Sequence, residues 1–432
     1  MPLSRRELVA VAGVGGMTAV APAARAAADR AWVGDDVDWL QAVLERYAGF
    51  GPKASGGAGD TACGAWLEAE LSRLGYACRR QAFEAPVFEP RASSLAAGAS
   101  RASVIPQAHA GLTPPAGLTA PLRRTEAADL TGAIALIVLL HKRWITLVDP
   151  LAARPLADAF ARGAAAAVLI TTGPTGEAVA LNVSTRRPAY ERPVAILAPK
   201  DAAPFLAAAA TGRPATLALD GIGGVRPAFN LVARLDRKAP KTLVVSTPRS
   251  GWFGCAAERG SGLVVWLALA HWLAKADLGV NVEFAANSGH EYEYLGGETY
   301  LEHAAPKPAD TRLWVHIGAC AATRDWSEFG PALRPLPSAD AQRVLTATGD
   351  IIGKVRPAFE GITGLEAVLE AGPATAGGEL TNVLKAGYPT TIGLYGAHRF
   401  FHTRGDDMRC TSGELVAPVA SAFRAAIAAS LA

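Results

Sequence analysis

The chain has 432 residues, half of them apolar and 19% charged, with a formal net charge of only +3. That length leaves room for two or three domains around a sizeable core. The small charge, with no basic run interleaved with aromatic residues, argues against nucleic acid as a partner. The five cysteines include no C-x-x-C pair, which argues against a zinc knuckle.

The N-terminal residues Ser4-Arg5-Arg6-Glu7-Leu8-Val9 precede an apolar Gly/Ala-rich run, and Ala24-Arg25-Ala26 supplies small residues for cleavage. This looks like a twin-arginine export signal over residues 1–28, and it predicts a periplasmic or secreted protein. No later stretch reaches about 18 apolar residues without a charge, so no membrane span is expected in the mature chain. Export would permit disulfides, with Cys63 and Cys78 as the candidate pair.

Apolar residues at helical spacing (Trp39, Leu40, Val43, Leu44, Tyr47) predict a first helix. A Gly-rich loop over 49–59 follows, then a helix over 62–74 closed by Gly75, then a strand from Ala77. From Arg91 to Leu219 the texture changes to Ala- and Pro-rich sequence with short strands, such as 133–138, 167–171 and 193–197. After Ala228 come strands at 229–235 and 242–246 and a strongly apolar helix at 262–274. The next strand (Val280, Val282, Phe284) breaks at Ser288-Gly289 and delivers His290 and Glu291, before a helix opens at Leu295-Gly296-Gly297. Strands at 313–317 and 390–394 and a helix over 414–431 complete the chain. This order predicts an α/β fold: a mixed, mainly parallel sheet with helices on both faces. Reactive side chains should then gather at the C-terminal ends of the strands.

Several chemistries fail on spacing. His290-Glu291-Tyr292-Glu293-Tyr294 lacks the second His of H-E-x-x-H, and no G-x-S-x-G elbow occurs. Gly221-Ile222-Gly223-Gly224 has no helix after it to bind a dinucleotide.

The opening helices and the part from about Phe229 to the C-terminus resemble M28-family zinc peptidases. Residues 91–225 resemble an inserted protease-associated domain, in the run Asp129-Leu130-Thr131-Gly132 with its following strand, in Phe160-Ala161-Arg162-Gly163-Ala164 with 167–171, and in 193–197. The resemblance implies a peptidase-like domain split over 29–90 and 226–432. Its two-zinc site would be drawn from five segments. Ser246 and Pro248 stand where the family has the His and Asp of its His-x-Asp, so the first-metal set is damaged. Glu258 falls at the bridging Asp, Glu291 at a metal-ligand Glu, and His402, in Phe401-His402-Thr403-Arg404-Gly405-Asp406, at the late His. His290 replaces the family's general base, and His316 lies at or beside a lost Asp.

The resemblance therefore implies one zinc held by Glu258, Glu291 and His402, an acceptable shell with water. Glutaminyl cyclases, relatives on this fold, work with one zinc in such positions. His290 and His316 would move protons, since an imidazole titrates near neutrality. Arg259, Trp252 and Tyr292 are candidates for substrate contact. The expected activity is aminopeptidase-type hydrolysis of a peptide or other small substrate. The other reading is a protein that kept the fold, lost the reaction, and binds a peptide or glycan. Residues Ser246 and Pro248 favour the second reading; Glu291 and His402 together favour the first.

Overall fold

A computed structural model describes residues 36–432, apart from 108–110, 144–145, 185–189 and 331. The export signal expected over 1–28 lies outside the described residues. Eight helices matter to the architecture: α1 (Val37–Gly49), α2 (Ala58–Arg73), α3 (Pro150–Ala161), α4 (Ala203–Ala210), α5 (Ser261–Leu273), α6 (Leu295–His303), α7 (Leu380–Lys385) and α8 (Gly413–Leu431). The strands are β1 (Ala77–Ala97), β2 (Ser100–Pro106), β3 (Leu118–Arg124), β4 (Ile134–Leu139), β5 (Ala166–Thr171), β6 (Val194–Leu197), β7 (Pro214–Leu235) and β8 (Thr242–Pro248). They continue with β9 (Asn281–Asn287), β10 (Thr311–Ile317), β11 (Arg324–Ser327), β12 (Arg334–Ala339), β13 (Arg343–Ala347), β14 (Val368–Glu370) and β15 (Thr391–Gly396).

Thirteen strands form one sheet in the order β1-β2-β6-β5-β4-β3-β7-β9-β8-β10-β15-β13-β14. The pairs β9–β8, β8–β10 and β10–β15 are parallel, as are β3–β4, β4–β5 and β5–β6; antiparallel pairs join and flank these blocks. The mixed, mainly parallel α/β sheet is thus the one the alternation predicts. Every residue of β8 and β9 is buried, as expected of parallel strands covered on both faces. Helix α5 is buried on nearly all its sides, consistent with its uniformly apolar sequence. It packs with α1, α8 and the sheet in the largest core, which holds Trp39, Leu44, Trp266 and Phe423. Helix α1 is capped by Asp36, whose side chain accepts from the Trp39 amide at 3.0 Å.

The strand expected to start at Ala77 runs on to Ala97 and pairs with β7 from Ala77↔Arg234 to Ala96↔Thr216. This two-stranded ribbon carries the sheet from the main part of the chain into residues 98–213, which have their own two-sided core. Ile137, Leu169 and Ile196 point to one face, and Leu136, Val168 and Leu197 to the other. Helix α8 is long and apolar enough to cross a membrane, yet its Val416, Val419, Phe423 and Ile427 are fully buried in the main core. The expected Cys63–Cys78 bridge does not form, and all five cysteines are free. Cys63 is enclosed on α2, and the Cys78 thiol instead faces the Glu68 and Tyr76 carbonyls at 3.7 Å each.

Candidate active site

The C-terminal ends of β9, β10 and β15 converge on a cavity of about 410 Å³ whose walls include His290, His316, His402, Tyr294, Thr146 and Asn182. The strand end at Asn287 is braced from behind. Buried Arg249 and Asp60 pair at 2.9 Å; Arg249 donates to the Ala286 carbonyl, and Asp60 accepts from the Ser288 hydroxyl at 2.7 Å. Gly296 packs against this turn so closely that a Cβ there would lie 1.9 Å from the Ser288 carbonyl oxygen.

Glu258 and Arg259 lie in a widened turn ahead of α5, entered through Cys255 in the left-handed region (φ 39°). Asp406 holds that turn by accepting the Ala257 and Glu258 amides at 2.8 and 3.0 Å. Both side chains are 1% exposed, and Arg259 Nη2 lies 2.7 Å from Glu258 Oε1. Arg259 Nε also donates to the Ser250 carbonyl at 2.9 Å. Burial pushes the Glu258 carboxyl up, but Arg259 and then His402 outweigh it and hold the group down at about 2.

His402, itself at φ 57°, clamps onto Ala180: its Nδ1 lies 2.9 Å from the Ala180 carbonyl, and the Ala180 amide donates to the His402 carbonyl at 2.9 Å. Nδ1 must carry a proton to bond a carbonyl, so Nε2 of a neutral ring bears a lone pair. That Nε2 faces Glu258 Oε1 at 3.2 Å.

Glu291 does not join these two. Its Oε1 accepts from the Ser55 amide and hydroxyl at 2.8 and 2.7 Å, and its Oε2 from the Ser250 hydroxyl at 2.7 Å. Burial raises its pKa, against the pull of those hydrogen bonds. Ser55, Ser250 and the Gly289 amide form one knot around it, with Gly289 donating to the two hydroxyls at 2.7 and 2.8 Å. The residues implied as one zinc shell are thus split into a pair, Glu258 with His402, and a buried clamp, Glu291.

The other two candidate histidines, His290 and His316, line the cavity with Nδ1 anchored. His290 Nδ1 lies 3.0 Å from Glu379 Oε1, while Glu379 Oε2 accepts from Asn287 Nδ2 at 2.8 Å. Burial drives the His290 pKa well below its ordinary value, with Arg259 adding to the effect. His316 Nδ1 lies 2.9 Å from Ser246 Oγ, which also accepts from Trp314 Nε1 at 2.9 Å. Its Nε2 has no partner among the described residues, and burial lowers its pKa to about 4.

Of the three candidates for substrate contact, none lines the cavity. Arg259 is turned onto Glu258 and Ser250. Trp252 donates to Asn182 Oδ1 at 2.8 Å, Tyr292 donates to the Pro86 carbonyl at 2.8 Å, and the two rings meet edge to face at 6.2 Å. Sequence reasoning missed Glu379, which only a Gly377-Gly378 pair precedes. It also missed Ser55, supplied 236 residues before Glu291.

The donor set does not fit a two-zinc centre. Ser246 is engaged by His316 and Trp314, and Pro248 offers no side-chain ligand. Glu258 and His402 supply two donors where zinc takes three or four from protein, and a guanidinium sits on their shared oxygen.

No known family profile matches the sequence, and no curated protein does. Solved structures do match. A zinc aminopeptidase from Bacillus subtilis is 18% identical with a TM-score of 0.72, over 92% of this chain and 95% of that one. A peptidase M28 precursor from Shewanella amazonensis SB2B is 15% identical with a TM-score of 0.68, over 96% of each chain. An aminopeptidase from Aneurinibacillus sp. strain AM-1 is 15% identical with a TM-score of 0.62, over 91% and 93%. The chain has the fold of M28-type zinc aminopeptidases.

Proposed function

We propose that this protein is an exported member of the peptidase fold that binds a short peptide in the histidine-lined cavity without two-zinc hydrolysis. The observation that carries the reading is the Arg259 guanidinium, 2.7 Å from Glu258 Oε1, at the position where the resemblance puts a bridging carboxylate and its metals. A fixed organic cation neutralises the carboxylate there, so the buried charge needs no metal. The peptide ligand is supported by the peptidase fold and by walls that combine Tyr294, Tyr395 and Phe401 with the glycine backbone at Gly377 and Gly378. Export rests on the arginine pair and small-residue site of residues 1–28.

A second reading, a one-zinc aminopeptidase-type hydrolase, is favoured by one contact. Tetrahedral zinc places oxygen and nitrogen ligands about 3.3–3.4 Å apart, and His402 Nε2 and Glu258 Oε1 are 3.2 Å apart. His402 also carries the anchored Nδ1 usual for a metal ligand. Titration calorimetry with di- and tripeptides, alongside an aminoacyl-anilide assay with and without zinc, separates the two. Binding without turnover is the expected result. Turnover that needs zinc and disappears in His402→Ala would replace the first reading with the second.

A further inference from the structure

Beside the Glu258 turn, and outside the walls of the cavity, lie three buried side chains that the proposed function does not use. His398, Asp406 and Cys410 come from one segment, and their nearest ligating atoms all lie within 4.8 Å of one another. We propose that they form a binding site for a divalent, thiolate-accepting cation of the zinc class, distinct from Glu258 and His402.

Three observations support the site. First, His398 is 1% exposed, yet neither ring nitrogen has a hydrogen-bond partner among the described residues. An imidazole with both nitrogens unsatisfied in the interior loses the desolvation energy of each, unless something ligates it. Second, His398 Nε2 faces Asp406 Oδ2 at 3.4 Å. A charge-assisted hydrogen bond would be about 2.7–2.9 Å. Two ligands at about 2.0–2.1 Å from tetrahedral zinc are held about 3.3–3.4 Å apart. Third, the residue types are zinc donors, and the charges close: a dication with one carboxylate and one thiolate leaves a neutral buried cluster.

Binding would be coupled to loss of one proton. The Cys410 thiol, raised in pKa first by burial and now donating weakly to the Gly405 carbonyl at 3.5 Å, would release its proton to solvent as the sulfur–metal bond forms. Asp406 can ligate without letting go of the Glu258 amide, since each carboxylate oxygen has two lone pairs. A second cavity, lined by Gly254, Ala256 and Met408, reaches the Asp406 edge of the cluster. The cation would brace residues 398–410 against one another around His402 without touching it, while Asp406 keeps the segment bonded to the Glu258 turn.

The test uses the full mature chain, stripped with chelator and titrated with cobalt(II), which reports a thiolate ligand by a charge-transfer band. One equivalent is expected to bind with that band. Cys410→Ser should abolish the band, and His398→Asn should weaken binding at least tenfold. His402→Ala and Glu258→Gln should leave it intact. X-ray absorption of zinc-loaded wild-type protein needs no variant, and should show one sulfur at about 2.3 Å beside lighter ligands at about 2.0 Å. No sulfur in that shell, a band that survives Cys410→Ser, or binding lost in His402→Ala but kept in His398→Asn would each overturn the assignment. None of these outcomes bears on whether the other cavity binds peptide.

Discussion

Replacing Arg259 with Met tests the central feature of the site, because Met keeps most of the stem and removes the charge. Glu258 would then be a carboxylate at 1% exposure with only His402 beside it. Breaking a buried pair from one side costs about 3–5 kcal/mol. Linkage gives a figure of the same size. A carboxyl held at about 2 in the fold, against about 4.3 in the unfolded chain, corresponds to about 3 kcal/mol. The sign follows from the depressed pKa: this stability is present above about pH 4.3 and is lost as pH falls toward 2. Urea unfolding at pH 7 should therefore show Arg259→Met destabilised by about 3 kcal/mol or more. In a Glu258→Gln background the same change should cost clearly less, since no buried anion is left uncompensated. A cost under about 1 kcal/mol, or an equal cost in both backgrounds, would refute the idea that the guanidinium is the charge that holds Glu258.

His316, lowered to about 4 by burial from an ordinary value near 6.5, predicts acid sensitivity of a different kind. The unfolded chain binds its proton first, so about 3 kcal/mol should be lost between pH 6.5 and 4, and a His316→Gln variant should show a flatter stability profile there by urea unfolding. Glu291→Ala should leave bound metal unchanged while costing several kcal/mol in the same assay, because three donors on Ser55 and Ser250 lose their acceptor. Gly296→Ala should prevent normal folding, seen as loss of soluble protein or of a cooperative thermal transition, because its Cβ would sit 1.9 Å from the Ser288 oxygen and 2.6 Å from Asn230 Oδ1.

Much of the fold was legible because its signals are local. The apolar run of α5, the strand that breaks at Ser288-Gly289 and the helix opening at Leu295 can each be read from a dozen residues, and the mixed, mainly parallel character of the sheet follows from their alternation, though its strand order does not. The site was legible as a set of positions but not as a set of contacts. Glu291 stands in the right place beside His290, yet its direction is decided by Ser55, in a loop far earlier in the chain. Arg259 adjoins Glu258 in sequence, and a pairing was foreseeable; that it occupies the shared oxygen is a matter of the widened turn at Ala256–Gly260, which no periodicity marks. Glu379 became visible only when the fold brought it 3.0 Å from His290.

The joint between residues 98–213 and the site includes main-chain latches beside its side-chain bonds. Ala180 exchanges two bonds with His402, one of them backbone to backbone, and the Val183 amide donates to the Glu291 carbonyl at 3.1 Å. Peptide groups are the same in every residue, so these latches do not depend on side-chain chemistry, and it is burial that limits what can stand at Ala180 and Val183. That part of the chain can drift in sequence while the wall it lends to the cavity stays where it is. Specificity for a ligand could be retuned at Thr146, whereas Asn182 also holds Trp252 at 2.8 Å and is tied into the frame.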